Sequence, residues 1–279
     1  MKKILFTLCL IILTLAAFAQ NRSCCAKPEG MAVFASNTDF QAAHLAPTPF
    51  NFENGTGKMM EYKTPDGKTA SAYHIPSKEK TNKVLLVFHE WWGLNDYIKQ
   101  EAEEWQKALG NVEVYALDLY DGKLGTTPDE AGKLMQGLDG ARAEAIVKGL
   151  LNQIGNKKEI ATVGWCMGGS WSFNAAVLAG KQAKACVMYY GFPETDKTKL
   201  AKINSDILFI QGTQDGFISN DLVLKFEADL KEVGKKIKVE QYAADHAFAN
   251  PSNPKHNKEF SADAFAKSVR YIKAGLDLK

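Results

Sequence analysis

Three side chains in this sequence are of the types that carry out nucleophilic catalysis, and each follows a stretch that reads as a β-strand. Cys166 lies in Gly164-Trp165-Cys166-Met167-Gly168-Gly169, between the strand-like EIATVGW and the helical GGSWSFNAAVLAG. Flanking glycines let a strand turn sharply into a helix and leave the residue at the bend exposed in strained geometry, the setting a nucleophile elbow requires. The helix N-terminus would lower a thiol from its free pKa near 8.5 toward neutrality and offer backbone N–H groups to a developing oxyanion. Asp215 stands in GTQDGFI after a later strand, and His246 in QYAADHAF after the last. The chain order nucleophile, acid, histidine is the order in which a parallel sheet delivers such groups on successive strand ends. Asp215 would orient His246, and His246 would pair with the thiol and move its proton.

Each residue also has a plainer reading. Asp215-Gly216 is a turn-forming pair, and a single histidine after a strand is most often structural. Asp118, at another strand end, and Asp245, beside His246, are rival acids. The catalytic reading rests on the three features together, in order and at strand ends.

The elements that must position these groups are visible in the periodicity. MMEYKTPDGKTASAYHIP reads as an edge hairpin turning at Pro65-Asp66-Gly67. KVLLVFHE (83–90), VEVYALDLY (112–120), EIATVGW, ACVMYYG, DILFIQGTQD and KIKVEQY are strands, several of them continuously apolar as strands buried on both faces must be. Helices are expected over 97–109, over 128–153 as one long element opened by Pro128-Asp129-Glu130, after the elbow, over 219–234 and over 257–275. Strands alternating with helices at this pitch predict an α/β fold, a mainly parallel central sheet with helices on both faces, built through right-handed crossovers. No internal repeat or low-complexity tract interrupts it.

The 279 residues, 46% hydrophobic, suffice for one main domain. Residues 1–19, MKKILFTLCLIILTLAAFA, pair two lysines with an apolar run and a small-x-small ending, which reads as a removable export signal and hence a periplasmic or extracellular protein. The run is shorter than the ~20 residues of a spanning helix, which disfavours an uncleaved anchor. Arg22-Ser23 makes a poor lipid-attachment context for Cys24 or Cys25. Without Lys2 and Lys3 the formal charge falls from +2 to zero, so nothing favours nucleic acid, and the expected partner is a small molecule. Cys24, Cys25, Cys166 and Cys186 would persist in an oxidising compartment, too few in so long a chain for a disulfide scaffold. Cys186, in KACVMYY, reads as a buried small hydrophobe. A redox role for Cys24 or Cys25 and a non-catalytic binding role for the fold are the alternatives. Residues 20–57 read as a loosely packed or partly disordered extension, and 58–279 as the domain.

HEWWGLN, the elbow GWCMGG, the loop GTQDGFI and the terminal DHAF together resemble the dienelactone hydrolase family of α/β-hydrolases over roughly residues 58–276. The resemblance implies hydrolysis of esters or lactones by a Cys166, Asp215, His246 triad, without metal or organic cofactor. It also implies that Glu90 interacts with the resting thiol, disfavouring the thiolate, and that the backbone N–H groups of Trp91 and Met167 form the oxyanion hole. Trp91 and Trp92 read equally well as packing. A zinc-binding H-E-x-x-H is excluded because Gly93 stands where the second histidine must be. Family members acting on the anionic lactone grip its carboxylate with arginines, one shortly after the triad histidine. Here Asn250 holds that place, and Arg142 lies far along its helix, which points to a neutral or weakly polar substrate.

Overall fold

The computed structural model describes residues 30–279, so the expected export signal and Cys9, Cys24 and Cys25 lie outside the described residues. The edge hairpin forms as expected: β1 (Lys58–Lys63) and β2 (Thr69–Ile75) pair antiparallel, and β2 pairs antiparallel with β4 (Glu113–Leu117). From there the sheet is parallel, through β3 (Lys83–Phe88), β5 (Glu159–Trp165), β6 (Ala183–Tyr189), β7 (Asp206–Gly212) and β8 (Ile237–Tyr242), in the order β1-β2-β4-β3-β5-β6-β7-β8. The central strands are those whose sequences are apolar without alternation: Val84 to Phe88 are all buried, whereas β1 at the edge buries only Tyr62.

Helices cover both faces. α2 (Asp96–Leu109) packs with α8 (Lys258–Gly275), and α4 (Gly140–Ile154) packs with α5 (Met167–Ala179). α7 (Asn220–Glu232) completes the set with the one-turn α6 (Lys197–Leu200), which the sequence did not suggest. The single helix expected over 128–153 is two. α3 (Pro128–Gln136) ends at Gly137, and Asp139 starts α4 by accepting from the Ala141 N–H at 2.9 Å. An internal N-cap outcompetes continuation because the Asp side chain satisfies a backbone donor that helix start leaves free. Among the described residues no helix is long and apolar enough to cross a membrane.

The start of the described chain also departs from expectation. A 3-10 turn (Gly30–Phe34) and α1 (Thr38–Ala43) are not loosely held: Met31, Ala35, Phe40 and His44 are buried. Asn37 caps α1 by accepting from Phe40 N–H, which aims the Phe40 ring into the domain. The segment was hard to read because two short elements show too few turns to establish a period.

Positioning of α5 depends on close backbone approach. A Cβ built on Gly168 would lie 2.3 Å from the Phe88 carbonyl oxygen, and one on Gly164 2.1 Å from that of Gly168. Only glycine lets helix and strands meet this closely. Gly168→Ala should therefore lower stability by about 1–3 kcal/mol through forced backbone shifts, read as a reduced urea midpoint; an unchanged midpoint would contradict the packing described.

Candidate active site

β5 ends at Trp165 and α5 begins at Met167, leaving Cys166 alone to reverse the chain. It does so at φ 55°, ψ −119°, a left-handed conformation that L-residues avoid. Two backbone bonds hold it there: its N–H donates to the Tyr189 carbonyl at 3.0 Å, and its carbonyl accepts from Gly169 N–H at 3.0 Å. The Met167 N–H, first of the free donors at the helix start, points at the Cys166 sulfur.

Asp215 and His246 meet as the sequence order suggested. His246 Nδ1 donates to Asp215 Oδ2 at 2.6 Å, while Asp215 Oδ1 accepts from the N–H groups of Phe217 and Ile218 at 2.8 and 2.9 Å. One carboxylate thus forms the turn through Oδ1 and orients the imidazole through Oδ2. Ala247, with φ 58°, lets the chain turn away just after the histidine. The rival acids are placed elsewhere. Asp118 accepts from Tyr120 N–H and Gly122 N–H in its own turn, and Asp245 is exposed.

A ring nitrogen of His246, one of His44 and Cys166 Sγ all lie within 4.8 Å of one another. His246 Nε2 has no protein hydrogen-bond partner, although it is buried. Around its ring stand Phe40, His44, Tyr190 and Phe217, with centroids 5.0–5.8 Å away. The sequence reading singled out none of the four. His44 comes from the extension, outside any strand end, and no signal in the sequence marked it. Tyr190 follows the C-terminal end of β6 with φ 38°, and the strand-end logic that found Asp215 could have found it. Cys166 is 1% exposed and His246 6%, so α1 and its neighbours roof the site.

Electrostatics here overturn one expectation. The helix N-terminus does not bring the Cys166 thiol toward neutrality: burial foremost, and then the nearby Glu90 carboxyl, push it well above its usual value, against a smaller contribution from Met167 N–H. Glu90 itself is pushed up to about 8, by burial and then by Glu101, with an opposing hydrogen bond from Asn250 Nδ2 to Oε2 at 2.7 Å. The loop that carries Glu90 and Trp91 is fixed by His89, whose Nδ1 donates to the Glu90 carbonyl at 2.6 Å and whose Nε2 accepts from Leu119 N–H at 3.1 Å. No acceptor among the described residues takes the Trp91 backbone N–H. The Trp91 and Trp92 side chains are both buried.

Residues 70–276, most of the chain, match the dienelactone hydrolase family. The chain belongs to that family. This dienelactone hydrolase relative is accordingly a hydrolase of carboxylic esters or lactones. It is 30% identical to Protein usf of Aquifex pyrophilus over 204 residues, 70% of this chain and 87% of that one. It is 28% identical to a carboxymethylenebutenolidase of a Pseudomonas species over 115 residues, 41% of this chain and 47% of that one. Among solved structures, a dienelactone hydrolase-like promiscuous phosphotriesterase from metagenomic libraries shares the fold with a TM-score of 0.67 at 20% identity, covering 79% of this chain and 99% of the other.

Within the family frame, Asn250 is no empty substitute for an arginine: its Oδ1 accepts from Ser252 N–H and Oγ, which fixes the amide so that Nδ2 faces Glu90. Arg142 is committed elsewhere, to Asp66, Asp121 and the Thr69 carbonyl at the hairpin turn.

Glu90 gives a pH signature. Its folded-state pKa is raised, so between about pH 4.5 and 8 the folded chain keeps a proton that the unfolded chain has lost, and stability falls as pH rises through that window. Glu90→Gln, which cannot ionise, should therefore gain unfolding temperature relative to the parent between pH 5 and pH 8. A difference that stays constant across that range would contradict the buried, proton-retaining carboxyl.

Proposed function

We propose that this protein is an exported hydrolase that opens neutral or weakly polar carboxylic esters or lactones through a transient thioester on Cys166. The observation that carries the reading is His246, bonded to Asp215 through Nδ1 and left with an unpartnered Nε2 in the neighbourhood of the Cys166 sulfur. Export is supported by the residue types of 1–19 alone.

In the resting site the thiol is neutral, so it is not a preformed nucleophile. As substrate enters, the thiol turns toward His246 Nε2, and the sulfur attacks the carbonyl carbon while its proton passes to the imidazole. The acyl oxygen gathers charge beside the backbone N–H groups of Met167 and Trp91, the latter free of any protein acceptor among the described residues. His246 then gives the proton to the alkoxide as the C–O bond breaks; water enters and attacks the thioester while the imidazole takes its proton, and as the C–S bond breaks the imidazole returns that proton to the departing sulfur, which releases the acid and restores the thiol. Asp215 holds the ring's tautomer and steadies its charge throughout. Glu90, close to the resting sulfur, disfavours premature thiolate.

Substrate charge follows from what faces the pocket. With Asn250 bonded to Glu90 and Arg142 engaged at the hairpin, the residues in question offer no bidentate cation for a substrate carboxylate. Entry also requires α1 to yield, because Phe40 and His44 lie against His246.

Hydrolysis of short-chain aryl esters by the parent, Cys166→Ala and His246→Ala chains tests the reading. Each substitution should lower kcat by about 10³-fold or more. Equal rates in parent and Cys166→Ala would remove the thiol from the reaction, and no hydrolysis of any ester by the parent would favour a binding role.

A further inference from the structure

The hydrolytic cycle makes no use of His44. Its side chain is nonetheless 3% exposed, with its ring centroid 4.0 Å from that of Phe40 in a tilted contact and 4.9 Å from that of Trp91 edge-on, at the heart of the site. His44 Nδ1 donates to the Phe40 carbonyl at 2.6 Å, which leaves Nε2 as a bare lone pair, buried and without a protein partner. His246 repeats the arrangement, with Nδ1 on Asp215 and Nε2 unpartnered. Histidines whose far N–H is held by a carboxylate or a backbone carbonyl are the form in which imidazole ligates a metal, since those bonds fix both tautomer and ring orientation.

We propose that His44, Cys166 and His246 form a binding site for a thiophilic divalent cation of the zinc class, and that its occupancy blocks the nucleophile and pins α1 over the site. Two imidazoles and one thiolate are the donor set of borderline-soft cations, while calcium and magnesium demand oxygen ligands. Zinc bonds of about 2.0–2.3 Å to nitrogen and sulfur set tetrahedral ligand separations of roughly 3.3–3.7 Å. The ligand atoms lie within 4.8 Å of one another, so capture requires an inward shift of about 1 Å, which thiol rotation and a small movement of α1 supply. The cation replaces the thiol proton, which leaves to solvent, and water takes the fourth position.

Because His44 lies outside the matched residues 70–276, the site combines the family's own thiol and histidine with a ligand from this chain's extension. The sequence reading anticipated no metal, and the cation here regulates rather than takes part in hydrolysis. Binding also stands apart from the catalytic reading, since it needs only the three ligand atoms.

The experiment is a Co²⁺ and Zn²⁺ titration of the otherwise complete chain carrying Cys24→Ser and Cys25→Ser, so that those thiols contribute nothing. One equivalent of Co²⁺ should give tetrahedral d–d bands with a thiolate charge-transfer band. Zn²⁺ should displace Co²⁺ and shield Cys166 from iodoacetamide, as mapped by mass spectrometry. His44→Gln should weaken Co²⁺ binding by more than about tenfold, and Cys166→Ser should abolish the charge-transfer band. Absence of that band in the parent, absence of Zn²⁺ protection, or equal affinity in a folded His44→Gln variant would each overturn the proposal. The protection experiment uses no ligand variant, so it decides the matter even if His44→Gln fails to fold. Absence of aryl-ester hydrolysis both with and without metal, in a parent that still binds Co²⁺ at Cys166, would count against the catalytic reading alone, whereas hydrolysis present with metal and lost without it would overturn the blocking role proposed here.

Discussion

The structure turns on one strained residue. Cys166 reverses the chain at φ 55°, and it can stay there only because strand and helix are packed so closely that no other path is open. The bonds to Tyr189 and Gly169 fix its backbone, the glycines admit the approach, and the start of α5 places a free N–H against its sulfur. Every other feature of the site is arranged around a sulfur whose position the fold dictates.

Burial then sets the chemistry. It keeps the thiol and the Glu90 carboxyl protonated and leaves Nε2 of His44 and His246, the Trp91 indole N–H and the Tyr190 hydroxyl without protein partners. Each such buried group costs about 1–3 kcal/mol, and their concentration around one sulfur marks a place where something polar is meant to arrive. A carbonyl substrate answers some of these needs and a cation others. The Phe40 ring of α1 lies against His246, so the first described helix packs directly on the site.

Much of this was legible in the residues. The apolar strands, the elbow glycines and the order Cys166, Asp215, His246 are local patterns, and short-range periodicity records them directly. The break at Gly137 to Asp139 was not, because a helical pattern continues across it and only the cap reveals the stop. His44 was illegible for a different reason: its place depends on Phe40 filling a space between Trp91 and Phe217, a fact of tertiary packing that no spacing encodes. The thiol's pKa was misjudged because a helix terminus is visible in sequence and the degree of burial is not. Asn250 showed only what was missing, and its bond to Glu90 shows what took the place.

The most direct test of the account is to look for the acyl group itself. Acid quench of the protein during turnover of a slow aryl ester, followed by peptide mass mapping, should find one acyl increment on the peptide containing Cys166. The adduct should be discharged by hydroxylamine and absent from Cys166→Ala. Turnover with no increment on that peptide, or with the increment on another residue, would contradict the central claim that Cys166 is the atom on which hydrolysis proceeds.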